Sequence, residues 1–279
     1  MPPGISDGAP CASLARLLLF LGASGLLFSA CATVAPPQSP QITAAAPISQ
    51  SAELSAMTAR LAERDRALVS MQTAAIMEYT APDRHAKARE NITVSRPASL
   101  RVEAMSPFGV ALIVATHAGQ LEIFEPSKNK LIHAAANAST LDQFVQIPME
   151  PADAVTLLLG IAPDTAHIAA SAPIAITNEH PDADSIATMT VGAWRDASGG
   201  TRELGFEDGN LALVRRRDAA GHIDYEVRYR DYHDIGGVMF PYVVEADFPP
   251  AHSHLTIKYD RPIVNGQISP ALFDLAPAT

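Results

Sequence analysis

Cysteine is nearly missing from this 279-residue chain, which has only Cys11 and Cys31. No disulfide can staple the residues beyond Cys31, and no cysteine-built metal site can form there. A domain without staples must hold together by its core alone. About 225 residues can do this, because chains beyond ~150 residues bury more than two thirds of their unfolded surface. Basic charge is also scarce: 20 Lys and Arg stand against 30 Asp and Glu, a net charge of -10. This argues against nucleic acid and the phosphate face of a bilayer as partners, since both reward clustered Lys and Arg. The one basic run, Arg215-Arg216-Arg217, reads as solvated charge at the edge of a sheet, where it discourages strand addition.

Long apolar runs and catalytic patterns are missing too. The apolar stretch at 17–28 is shorter than the ~20 residues needed to span a bilayer, and nothing downstream is apolar enough to span. There is no Gly-x-Ser-x-Gly elbow and no glycine loop to cradle phosphate. His252 and His254 have no third ligand spaced against them, and zinc needs three or four. His233 with Asp231 and Asp234 reads as a polar turn, and Asp182 with Asp184 falls in a loop without a base or nucleophile. The expectation is therefore a protein that is not an enzyme, with no metal and no cofactor.

What is present begins with a leader. Arg16 precedes the apolar stretch, as in a signal peptide. Phe28-Ser29-Ala30-Cys31 then resembles a bacterial lipobox, which implies a signal peptide at 1–30 and a diacylated thiol at Cys31 as the first mature residue. Ala32 lacks the carboxylate that holds many such lipoproteins in the inner membrane, so the resemblance favours the outer membrane, periplasmic face. Residues 32–52 contain four prolines among Ala, Ser, Thr and Gln. That composition buries too little apolar surface to fold, so 31–52 reads as a lipidated, disordered tether.

From Glu53 the pattern changes. Leu54, Met57, Leu61, Leu68 and Met71 recur at three-, four- or seven-residue spacings between charged residues, predicting an amphipathic helix of about five turns. Beyond it the period shifts toward two. Leu100, Val102 and Ala104 alternate with Arg101, Glu103 and Met105, the triplet Pro107-Phe108-Gly109 turns, and strands follow at 110–116, 119–125 and 130–134. Two short helices interrupt between about 140 and 160, the second starting at Pro151 with Asp153 in its first turn. Strands resume at 186–194 and 202–207, and Asp208-Gly209 signals a tight hairpin into 210–217. In 223–230 the alternation of Ile223, Tyr225, Val227 and Tyr229 with charged residues is unbroken, and 238–244 and 255–259 repeat it. Ser269-Pro270 opens a closing helical turn that buries Leu272 and Phe273.

One-sided antiparallel strands twist, curl and need a cover for their dry face. The expected class is mainly β with helices (α+β): an incomplete antiparallel β-barrel of about eleven strands. An N-terminal amphipathic helix and two short central helices would cover it, in one domain at 53–279.

The runs Leu100-Arg101-Val102-Glu103-Ala104-Met105-Ser106-Pro107-Phe108-Gly109 and Pro151-Ala152-Asp153-Ala154-Val155-Thr156-Leu157-Leu158-Leu159-Gly160 resemble lipoproteins of the LolA/LolB-like fold. So do the closing strand pairs that end at 269–275. That resemblance implies an unclosed barrel under a helical lid, with an apolar cavity for the acyl chains of lipid or lipoprotein cargo. Candidate walls are Leu100, Val102, Leu112, Val114, Ile223, Tyr225, Val227, Tyr242, Leu255 and Ile257, with Val155, Leu158 and Leu159 from the lid. Arg101 is the nearest counterpart of an arginine that holds the lid, and Phe108 of an apolar side chain displayed toward the membrane. The implied partners are the membrane, through the N-terminal lipid, the acyl cargo, and a periplasmic carrier or envelope complex. The same strand faces could equally fill an ordinary core, making the chain a non-enzymatic scaffold of an envelope assembly or export machine.

Overall fold

The computed structural model describes residues 48–181 and 187–275. The leader, Cys31, the tether up to residue 47, and Asp182 with Asp184 lie outside the described residues.

Among the described residues one antiparallel sheet of thirteen strands runs in the order β6-β5-β4-β3-β2-β1-β13-β12-β11-β10-β9-β8-β7. Its first half comprises β1 (Ser70–Ala81), β2 (Arg84–Ser95), β3 (Ser99–Ser106), β4 (Gly109–His117), β5 (Gln120–Glu125) and β6 (Lys130–Ala135). Its second half comprises β7 (Ala175–Glu179), β8 (Met189–Arg195), β9 (Thr201–Glu207), β10 (Asn210–Arg217), β11 (Ile223–Ile235), β12 (Val238–Phe248) and β13 (Ser253–Val264). Each half is a meander, and β1 with β13 joins the two. Three hairpins turn through two consecutive residues at positive φ, which matches strand twist: Ala118-Gly119, Asp208-Gly209 and Gly236-Gly237.

Strands β6 and β7 are the sheet's free edges. The chain between them supplies α2 (Ala138–Val145), α3 (Pro151–Leu158) and α4 (Thr165–Ala170). The barrel is therefore incomplete, with helices spanning its gap in sequence. The structure has two strands more than the expected eleven and a third central helix, α4. Strands β1, β2 and β7 fall where the sequence marks none; in β1 and β2, Ala, Gln, Glu and Lys residues mask the two-residue period.

The N-terminal helix α1 (Ile48–Ala67) starts inside the stretch read as tether and stops before Met71. Leu54, Thr58 and Leu61, at spacings of four and three, form its buried face. Leu54 lies over Gly192, where a Cβ would come within 2.6 Å of the leucine and 2.4 Å of the Trp194 ring. Its last turn is tied down from two sides. Asn265 donates to the Ala67 carbonyl and accepts from Val69 N–H, and Arg96 donates to the Asp65 carbonyl. These bonds satisfy groups that a helix end leaves unpaired. Met71 keeps the apolar phase of the helix but belongs to β1, fully buried.

Helix α2 opens with a capping box between Asn137 and Thr140. Helix α3 has Pro151 at its first position and Asp153 in its first turn, as expected, and Pro151, Ala154, Val155, Thr156 and Leu157 are buried. At its far end Gly160 takes φ +67° against Pro241, where a side chain would clash at 2.7 Å. The closing turn at Pro270–Phe273 buries Phe273.

The Arg215-Arg216-Arg217 run corrects the sequence expectation, because β10 lies inside the sheet between β9 and β11. Register places Arg215 directly opposite Glu203 and Glu226. Arg215 is 7% exposed, and its guanidinium binds Glu226 at 2.5 Å, Glu203 at 2.7 Å and Glu179 at 3.1 Å. Arg216 pairs with Asp196 and Asp224, and Arg217 with Glu203. Although burial opposes it, hydrogen bonds donated to three glutamates push the Arg215 pKa up. Against the opposing pull of burial, Arg215 and Arg228 hold the Glu226 carboxyl below its usual range, and hydrogen bonds from Ser198, together with Arg216, do the same for Asp196.

Candidate functional site: an apolar cavity under the helices

Between the inner face of the sheet and α2–α3 lies a cavity of about 320 Å³, within the size range of small-molecule sites. Its floor comes from β1–β4 and β11–β13, and its roof from α2, the link after it, and α3. The wall is overwhelmingly apolar. Inward alanines keep it open: Ala104 on β3, Ala246 on β12 and Ala154 on α3 stand where a filled core would carry Val or Leu. Arg84 and Ala86, both exposed, and the part-exposed Phe144 of α2 form its rim at the β1–β2 hairpin.

The roof is held by hydroxyls. Tyr229 of β11 donates to the Leu157 carbonyl and Tyr259 of β13 to the Leu158 carbonyl, both at 3.0 Å. They cap orphan carbonyls at the end of α3. Burial pushes the pKa of both phenols upward, keeping them neutral donors. Over α2 the tie is Tyr79 of β1, 3.0 Å from the Gln146 side chain. Gln146 caps α2 in the left-handed conformation.

Among the residues expected at the wall, Leu100, Val102, Leu112 and Val114 line the cavity from β3 and β4. Val227, Leu255 and Ile257 line it from the other half of the sheet, and Leu158 from the roof. Five others are elsewhere. Tyr225 is buried beyond the cavity, its hydroxyl accepting from Arg202 at 2.6 Å, and burial pushes its pKa up to about 12. Ile223 is half-buried at the start of β11, paired with Arg217. Tyr242 turns edge-on to His233, with ring centres 4.5 Å apart, opposite the distortion made by Asp231 at φ +55°. Val155 and Leu159, one helical turn apart, are fully buried in the core on a different face of α3 from the cavity-lining Leu158.

Arg101 corrects the expected lid latch. Its neighbours Leu100 and Val102 take the cavity side, so by alternation it faces outward. There it binds Glu103 and donates to the Leu272 carbonyl at 2.7 Å, anchoring the closing turn rather than the roof. Phe108 stands at the tip of the β3–β4 hairpin, 99% exposed.

Sequence reasoning missed Met77, Tyr79 and Glu90, which line the cavity from β1 and β2. Glu90 is 6% exposed, and its Oε2 has no hydrogen-bond partner. Burial alone pushes its pKa up to about 7. A carboxylate on an otherwise apolar inward phase, Glu90-Ile92-Val94, is the signal that could have found it. Among the described residues no three His, Cys, Asp or Glu side chains converge on a metal position.

No family model matches the chain, and no curated protein matches it. Solved structures do. A DUF1329 family protein from Desulfovibrio piger aligns with TM-score 0.54 at 9% identity, covering 81% of this chain and 98% of that one. A putative outer membrane lipoprotein-sorting protein domain from Vibrio parahaemolyticus aligns with TM-score 0.51 at 8% identity, covering 79% and 95%. A LolA superfamily protein from Nitrosomonas europaea aligns with TM-score 0.44 at 14% identity, covering 78% and 97%. The chain therefore shares its fold, an unclosed antiparallel barrel roofed by helices, with the Desulfovibrio and Vibrio structures, and this is the architecture that the resemblance to the LolA/LolB-like fold implied.

Proposed function

We propose that this protein is a lipid-anchored periplasmic module that holds the acyl chains of lipid or lipoprotein cargo at the outer membrane. The carrying observation is the 320 Å³ cavity, walled by Leu, Val, Ile and Met under a helical roof. Acyl chains need such a space and no chemistry, because each buried methylene contributes roughly 0.8 kcal/mol of transfer free energy. The role is that of a carrier, not an enzyme. The fold is shared with a putative outer membrane lipoprotein-sorting domain. The lipobox-like Cys31 would supply the mooring, and no described helix is long and apolar enough to cross a membrane. Phe108 on its exposed tip offers an apolar contact to a bilayer or to a periplasmic carrier. A scaffold with a filled core would need a packed interior, and the open cavity weighs against that reading.

The test is native mass spectrometry of the full chain carrying Cys31→Ala, which receives no acyl group of its own. The expected spectrum contains a species heavier than the polypeptide by one fatty-acyl ligand, released on denaturation. Bare polypeptide that also takes up no added palmitate would contradict the proposal.

A further inference from the structure

One wall group has no place in a site built for plain hydrocarbon. Glu90 points into the cavity from the middle of β2, and register puts Ala75 of β1 and Ala104 of β3 directly beside it. Neither neighbour can donate a hydrogen bond, and Oε2 is left without a partner. A buried, unpaired carboxyl carries a desolvation cost that an apolar side chain at the same position would avoid. The nearby polar side chains are already committed: Tyr79 to Gln146, and Thr116 to the Ala98 carbonyl. Arg84 lies six residues away on the same strand, about 20 Å at strand rise, on the exposed rim.

Resting on the acyl-binding reading above, we propose that Glu90 selects cargo whose acyl chain carries a hydroxyl group, which bonds the carboxyl inside the cavity. A hydroxyl fits either protonation state of the partner, donating to a carboxylate and both donating to and accepting from a carboxylic acid. A cationic amine would pair only with the ionised form and would give up its own hydration on entering an apolar space.

The experiment displaces a fluorescent fatty acid from the full chain carrying Cys31→Ala, using stearate, 2-, 3- and 12-hydroxystearate, and octadecylamine. At least one hydroxystearate is expected to displace the probe at about tenfold lower concentration than stearate, the gain of one hydrogen bond to a buried partner. Glu90→Leu should erase that preference and bind stearate at least as tightly. Glu90→Gln, which keeps a donor and an acceptor, should retain most of it. Equal displacement by stearate and every hydroxystearate would overturn the inference while leaving the acyl-binding reading intact. So would a hydroxyl preference that survives in Glu90→Leu, or a stronger response to octadecylamine. If no probe binds the unaltered cavity or Glu90→Leu, both readings fall together.

Discussion

Replacing Arg215 with methionine is expected to lower the stability of the protein by about 3–5 kcal/mol, the usual cost of removing one member of a buried ion network. Arg215 is almost fully enclosed on β10, and three carboxylates converge on it from β7, β9 and β11. Without the guanidinium, Glu203 and Glu226 would face each other across the methionine with little water to screen them. A second substitution, Glu226→Gln, should restore part of the loss, because it lowers the negative charge facing the methionine, where Arg217 remains on Glu203 and Arg228 on Glu226. Urea unfolding at pH 7 checks both. A loss below about 1 kcal/mol would mean the cluster behaves as an exposed pair, screened by solvent.

Glu90→Gln should stabilise the protein, and by an amount that depends on pH. The Glu90 carboxyl is pushed up to about 7 in the folded protein, against an ordinary value of 4.5. An acid with a raised folded value binds its proton more tightly when folded, so the wild type loses stability as pH rises from 4.5 to about 7 and no further above that. The interval corresponds to about 3 kcal/mol. Glutamine cannot ionise and escapes the loss. Unfolding free energies of the two proteins should therefore nearly coincide at pH 4 and diverge by up to ~3 kcal/mol at pH 8. All other carboxylates are common to both proteins and cancel in the difference. A difference that does not change with pH would show that Glu90 is solvated in the folded state.

Both residues illustrate what the sequence could and could not disclose. Elements defined by local pattern are legible: the Asp208-Gly209 hairpin, the helix opened by Pro151, and the alternation that carries Tyr225, Val227 and Tyr229 inward on β11. Strands β1 and β2 are not. On β2 the inward Ala86 and Glu90 line the cavity at positions where Val or Ile would mark a strand, and on β1 the inward Thr73 and Ala75 interrupt the apolar series between Met71 and Met77. Met71 extends the three- and four-residue spacing of α1, and only the tertiary ties at Ala67 and Val69 show that the helix has ended. Arg215 looks like edge charge because a strand's neighbours are set by long-range register, which no local window contains. The wall itself is split in the same way. Alternation correctly turns Leu100, Val102, Leu255 and Ile257 inward, but it cannot say that Tyr225 and Tyr242 lie beyond the cavity's ends.

The most direct measurement of the central claim is titration of a fluorescent fatty acid into the full chain carrying Cys31→Ala, with and without Leu158→Glu. Leu158 lines the cavity from its roof, and its backbone carbonyl, which Tyr259 holds, survives the substitution. A carboxylate there would have to share a dry space with the probe's chain, at a cost of several kcal/mol. The account predicts saturable one-to-one binding to the first protein and affinity weakened at least ~100-fold in the second, with cooperative unfolding retained. Binding that is absent from the first protein, or unchanged in the second, would contradict it.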